Sequence, residues 1–256
     1  MRRNRIIPIL LLKNNGLYKT LKFNTPKYVG DPINAVKIFN DKCVDELCFL
    51  DISASPQGKA PNLVMLKDIA SECFMPLSYG GGIKSTEMIR EILNVGVEKI
   101  ILNTEAIRTP QLIKESSQFF GSSTIVVSID VKKNLFGKYH VYINGGNEKT
   151  KYDPIEWSKK VESLGAGEII INAIDKDGTL SGYDFSLIKS IANTVNIPVV
   201  AAGGAASLTD FEKAIKDSKA SAVAAGAFFV FQGKHNAVLI TYPSEIEIEK
   251  LLEKCL

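Results

Sequence analysis

Histidine is nearly absent from this 256-residue chain. His140 and His235 lie far apart in sequence and make poor material for a metal site. Cysteine is scarce too. Cys43, Cys48, Cys73 and Cys255 show neither metal-finger spacing nor the density of a disulfide framework, which points to a reducing, cytoplasmic compartment. No metal and no cofactor is expected. No apolar run is long enough to cross a bilayer. The start, MRRNRIIPILLLKNN, is basic then apolar, but it is short, holds Pro8 and meets Lys13 and Asn14 without a small-residue cleavage site; it reads as a buried first strand. An excess of one charge is also missing. The 31 basic and 28 acidic residues leave +3, too mild and dispersed for nucleic acid, so a small anionic ligand is the expected partner.

What the chain does contain is one pattern written twice. ELCFLDIS…LSYGGGIKS…KIILNTEAI in residues 46–107 returns as EIIINAIDKDGT…VVAAGGAAS…AVAAGAFFV in residues 168–230. Each copy has a strand ending in Asp, or leading to one, a strand ending in glycines, and a strand ending in small polar residues. An offset of roughly half the chain indicates a duplicated half-barrel rather than a short solenoid repeat. The length suits one (β/α)8 barrel, so residues 1–256 read as a single TIM-barrel domain.

Strands are expected at 6–12, 46–52, 76–80, 99–103, 124–130, 168–174, 198–202 and 222–226, each near-continuously apolar as strands covered on both faces require. Helical patterns lie between them, with starts signalled by Asp31-Pro32, Thr109-Pro110, Asp153-Pro154 and Ser207. Trp157, early in one of these patterns, reads as packing. Residues 131–152 break the rhythm, and the alternation in KYHVYI predicts a β-hairpin inserted after the fifth strand. The first connection, residues 13–30, is long and polar. Both insertions follow strands that stand opposite one another in the ring.

Gly80-Gly81-Gly82 ends the third strand before a helix opening at Ser85, and Gly203-Gly204 ends the seventh, so converging backbone N–H groups can cradle a phosphate at each. Asn103-Thr104 and Gly226-Ala227 complete the two cradles, and Asp177-Gly178-Thr179 adds another donor turn. Asp51, Asp130 and Asp177 follow strand ends. Each is either a functional carboxylate or a cap on its own turn.

With GDP, DELCFLDISAS, YGGGI, ILNTEAI, VVSIDVK, GAGEIIINAIDKDGTLSGYD and VVAAGGA, the chain resembles the cyclase (synthase) subunit of imidazole glycerol phosphate synthase from its first strand to beyond its eighth. The resemblance implies a barrel that receives ammonia from a glutaminase subunit and uses it on a ribulosyl-carboxamide bearing a phosphate at each end. It implies a catalytic role for Asp130 and for Lys19, a basic residue beside the first cradle, and substrate binding by Asp51, Gly81, Gly82, Asn103, Thr104, Asp177, Gly178, Thr179, Gly203, Gly204, Gly226 and Ala227. It also implies that Arg5, Glu46, Lys99 and Glu168, which precede strands one, two, four and six, form an ammonia gate facing the glutaminase. Read from the residues alone, the same four can equally be salt bridges closing the barrel floor.

The family's other catalytic aspartate, at the end of strand one, is Leu11 here. Ile9, Asn172 and Ala202 also depart from the family's cysteine, threonine and serine. Leucine cannot carry the proton transfer worth ~10²–10⁴-fold in rate. Three readings therefore stand open. The chain serves amidation of another acceptor, as resemblance to relatives working beside sugar amidotransferases implies; it is a histidine-pathway cyclase with a displaced acid/base group near Lys13, Asn14 and Asn15 or at Asp51 or Asp177; or it is a non-catalytic channel and docking subunit.

Overall fold

The computed structural model describes residues 4–233 and 235–255, so the first three residues of the apolar start lie outside it. Eight parallel strands form a closed ring: β1 (Arg5–Lys13), β2 (Leu47–Asp51), β3 (Leu77–Gly80), β4 (Lys99–Leu102), β5 (Ile125–Lys133), β6 (Glu168–Ala173), β7 (Val199–Ala202) and β8 (Ala222–Ala225). Closure comes from β8 pairing with β1, in register from Arg5↔Ala222 to Pro8↔Ala225. Around the ring lie α1 (Pro32–Asp41), α2 (Leu63–Glu72), α3 (Thr86–Asn94), α4 (Gln111–Phe120), α5 (Pro154–Ser163), α6 (Phe185–Ala192) and α7 (Leu208–Lys216), with α8 (Glu245–Glu253) after β8. This is the (β/α)8 architecture.

The continuous apolar character of the strands is explained by two separate cores. One, between strands and helices, includes Ile6, Phe49, Ile100, Val127 and Trp157, with the Trp157 ring 4.7 Å from that of Tyr152. The other fills the barrel interior with Ile7, Ile9, Cys48, Ile101, Ile170 and Ala202. Successive residues of β1 alternate between them, as a period of two requires. Each fully buried Leu or Ile contributes about 1.5–3 kcal/mol, and one-residue slips would exchange the two sets.

Local signals fix the helix starts. Asp31 accepts from Asn34 N at 2.9 Å, Asp153 from Ile155 N at 2.8 Å, and Ser207 and Asp210 make a reciprocal capping box. Thr109 does not cap: its hydroxyl donates to Glu105 Oε1 at 2.5 Å, and α4 starts after Pro110 without a side-chain cap. Glu105, four residues back on a short preceding helix, competes successfully for that hydroxyl.

The fifth strand runs on into the expected hairpin, with Asp130↔Tyr142 through Lys133↔Tyr139 paired antiparallel. The long first connection is also a hairpin. Gly16–Leu21 pairs with β1 on one side and with Asn24–Gly30 on the other. Lys13 and Gly16 flank a two-residue turn in which Asn14 and Asn15 have φ of 48° and 65°, the left-handed conformation asparagine tolerates. The two halves thus match in their insertions as well as their strands.

Candidate functional site

A cavity of about 460 Å³ opens at the C-terminal ends of the strands. Lys19, Asp51, Gly81, Gly82, Asn103, Thr104, Asp130, Asp177, Gly178, Gly203, Gly204, Gly226 and Ala227 all line it. Thr179 is outside the lining. Its hydroxyl donates to the Lys176 carbonyl at 2.7 Å and lies 2.7 Å from that of Ser181, which stabilises the turn, while Leu180 takes a place on the wall.

The two glycine clusters are built alike. Gly81 and Gly82 have φ of 134° and 71°, and Gly203 and Gly204 have 84° and 108°. A Cβ on Gly82 would come within 2.4 Å of the Lys59 carbonyl oxygen, and one on Gly204 within 2.5 Å of that of Gly182. Conformation and space both demand glycine. After β4 and β8, short helical turns begin at Thr104 and Ala227, directly behind Asn103 and Gly226. Backbone donors are therefore grouped on two sides of one cavity, an arrangement able to hold an anion on each side.

Between them sit the titrating groups. Asp130 is 7% exposed and accepts from Asn103 Nδ2 at 3.1 Å and from Ser128 Oγ at 3.4 Å. Burial, reinforced by the charge of Asp177, raises its pKa to about 7. Burial also raises Asp177 to about 6, against the opposing pull of Lys19 and the Thr20 hydroxyl at 3.3 Å. Lys19, 5% exposed, donates to the Ile9 carbonyl, and burial lowers its pKa to about 8 although Asp177 favours its charge. A carboxyl and an ammonium that titrate near neutrality can each give and take a proton.

Asp51 is engaged locally. Its Oδ1 accepts from Ser53 N, Ser53 Oγ and Ala54 N at 2.8, 2.7 and 3.0 Å, so it caps the turn after β2 while still lining the cavity. Asn103 carries more than a cradle: its amide also donates to the Ser128 carbonyl at 3.0 Å and holds Asp130 in place. Ser128, Thr20 and Phe23 are wall residues that sequence reasoning missed. Residues 16–21, GLYKTL, show no strict alternation, so the hairpin that delivers Thr20 had no clear strand signal.

Leu11 faces the same cavity with Ile9, Leu50, Ile101, Ala202 and Ala224, forming an apolar wall beside the carboxylates. Asn172 stands across from Asp130 in the β5–β6 register, and its Oδ1 is buried without a hydrogen-bond partner. The first hairpin closes over the mouth, where Lys22 N donates to the Asp177 carbonyl at 2.9 Å.

At the opposite end, the four expected charges form a ring. Arg5 pairs with both Glu46 and Glu168, and Lys99 Nζ lies 2.8 Å from Glu46 Oε2 and 3.0 Å from Glu168 Oε2. The carboxylates are nearly buried and the cations about a quarter exposed. Above them is a void of about 10 Å³ walled by Cys48, Ser78, Ile101 and Ile170, at the limit of holding one water-sized molecule. Burial pushes the Cys48 thiol up to about 12, so it stays neutral. Among the described residues, no group of three or more His, Cys, Asp or Glu side chains could hold a metal ion, and no helix is long and apolar enough to cross a membrane.

Residues 5–236 match the family described as histidine biosynthesis protein. The chain belongs to that family. Among its histidine biosynthesis relatives, it is 49% identical over 243 residues to the Pseudomonas aeruginosa protein named "Putative imidazole glycerol phosphate synthase subunit hisF2", covering 95% of this chain and 97% of that one. A Vibrio vulnificus protein, named identically but for the suffix hisF3, is 47% identical over 254 residues, 99% and 98% of the two chains. "Imidazole glycerol phosphate synthase subunit HisF" of Alkaliphilus metalliredigens is 40% identical over 225 residues, 88% and 89% of the two chains.

Proposed function

We propose that this chain is the synthase subunit of a glutamine amidotransferase complex, taking ammonia at the barrel floor and using it on a phosphorylated acceptor at the mouth. A glutaminase docks on the N-terminal face. Ammonia passes between Arg5, Glu46, Lys99 and Glu168, crosses the void beside Cys48 and Ser78, and reaches the cavity. The glycine pairs Gly81-Gly82 and Gly203-Gly204, with Asn103, Thr104, Gly178, Gly226 and Ala227, hold the acceptor through its anionic groups. Asp130 takes the proton from the attacking nitrogen, and Lys19 stabilises negative charge that develops on the acceptor.

One observation carries this reading: a cavity with a glycine cradle on each side stands against an apolar wall that includes Leu11, at the position where the family resemblance implies a carboxylate. A ring closure that needs two acid/base groups on opposite sides loses one of them, whereas nitrogen addition followed by loss of water needs a single group that titrates near neutrality. We therefore assign the acceptor to the amidation class, a sugar precursor being converted to an amidine-bearing form with a sugar amidotransferase as third component. The four free cysteines support a reducing, cytoplasmic location for the chain.

Asp177, raised to about 6 beside Lys19, favours one alternative, cyclisation with a displaced second carboxylate. Incubating the chain with the ribulosyl-carboxamide bisphosphate and excess ammonium salt, alongside Leu11→Asp, decides between them. No turnover by the unaltered chain, with partial turnover by Leu11→Asp, is the expected result. Full turnover by the unaltered chain would make it a histidine-pathway cyclase and end the amidation reading.

A further inference from the structure

A second, smaller cavity of about 190 Å³ lies between the tip of the first hairpin and the start of α2. It shares Lys13, Asp51 and Ser53 with the main cavity, so the two adjoin along the end of β2. Its rim carries two ammonium groups, Lys13 and Lys59, and three carboxamides, Asn14, Asn15 and Asn62. Its floor is apolar, made by Leu12, Met65, Leu66 and the Tyr79 ring. The one acidic side chain on it, Asp51, has an oxygen committed to three donors of its own turn.

The rim is tied together across the two elements. Asn14 and Asn15 are fixed in the left-handed turn, and Asn62 Nδ2 donates to Asn15 Oδ1 at 3.3 Å, joining hairpin to helix. Lys59 N donates to the Ala54 carbonyl at 2.9 Å, and the Lys59 carbonyl lies close against Gly82 of the first cradle. Lys13 Nζ lies 5.8 Å from the Tyr18 ring centroid, and neither lysine makes an ion pair among the described residues. Amide donors, two ammonium groups against the single Asp51 carboxylate and an apolar floor suit a hydroxyl-rich ligand that also bears a carboxylate.

We propose that this side cavity is a third ligand subsite, one that takes a hydroxylated, carboxylate-bearing portion of the molecule whose anionic groups occupy the main cavity. It accepts such a group by its own chemistry, whatever reaction proceeds at Asp130, so its test does not depend on the amidation reading. The experiment is a titration of the ¹⁵N-labelled full chain with D-glucuronate, followed by amide resonances, and a parallel titration with inorganic phosphate. Glucuronate is expected to shift Asn14, Asn15, Lys59 and Asn62 saturably, whereas phosphate shifts Gly82 and Gly204. Lys59→Met should weaken glucuronate about tenfold, the loss of one charge-assisted contact, and Lys59→Arg should restore it, with phosphate affinity unchanged in both. Absence of saturable shifts at the rim, or equal glucuronate affinity for Lys59→Met and the unaltered chain, would overturn the proposal.

Discussion

Lys19 donates its buried ammonium proton to the main-chain carbonyl of Ile9, two residues before Leu11 on the same strand. The first hairpin thereby pins its one buried cation to the strand that carries Leu11. A charge in the cavity is kept in place by backbone rather than by a partner side chain, so its position does not depend on what stands at residue 11.

The pH dependence of ammonia use follows from this cluster. Asp130 acts as a base only above its raised pKa of about 7, and Lys19 stays charged only below its lowered pKa of about 8. Turnover with saturating free ammonia is expected to give a narrow bell between those limits. Lys19→Met should abolish the alkaline limb, and a profile still rising above pH 9 would contradict the assignment.

Asp130→Asn should lower turnover by ~10²–10⁴-fold and yet stabilise the protein. The folded pKa lies above the ordinary value of 3.8, so the unaltered carboxyl is tolerated best below that value and increasingly penalised as pH rises through about 7. Removing the charge is worth roughly 2 kcal/mol above pH 7, about half of what the full rise from 3.8 to about 7 would give, or ~4–8 °C in Tm for a chain of this size. The gain should vanish near pH 4. Thermal unfolding at both pH values checks it.

Gly226→Ala separates position from stability. Its new methyl would lie 2.4 Å from Lys19 Nζ, the movable end of a side chain, and Gly226 has an ordinary negative φ of −113°. Tm should hold within about 2 °C while turnover falls at least about tenfold. Gly82→Ala meets fixed backbone at 2.4 Å with φ of 71°, and should cost about 1–3 kcal/mol of stability as well as phosphate binding.

Lys99→Met tests the floor. Two nearly buried carboxylates are left sharing Arg5 alone, a loss of about 1–3 kcal/mol. With the glutaminase present, glutamine-dependent turnover should fall while turnover with ammonium salt persists. Equal loss of both activities would make the ring a structural closure only.

All eight strands were legible to within a few residues because each is a dense apolar run bounded by glycine or a charge. The hairpin over residues 13–30 was not. Its outer strand, Asn24–Gly30, contains Pro26 and is largely exposed, so it lacks the buried alternating face that marks a strand; pairing with Gly16–Leu21, itself paired with the end of β1, supplies what pattern does not. The cavity's glycines could be read because their spacing repeats in both halves, whereas Asp130 lies outside the repeat and was read through the family resemblance of VVSIDVK. Asn103's grip on Asp130 and the tie from Lys22 to Asp177 could not, since both join segments remote in sequence. The local use of the Thr179 hydroxyl could not be read either: in the turn after β6 it donates to the Lys176 carbonyl.

The tie across the mouth, Lys22 N to the Asp177 carbonyl, is made entirely of main-chain atoms, as are both glycine cradles. Most single side-chain replacements leave such parts standing. Ile9, Leu11, Asn172 and Ala202 reach the ligand space from the barrel interior, Ile9 and Ala202 as part of its apolar core, so exchanges there that keep the packing alter the cavity wall and leave the main-chain seats in place. A lineage can therefore keep its latch and its anion seats while exchanging the reacting surface between them, and a new chemistry becomes reachable through a handful of point changes with no foldless intermediate.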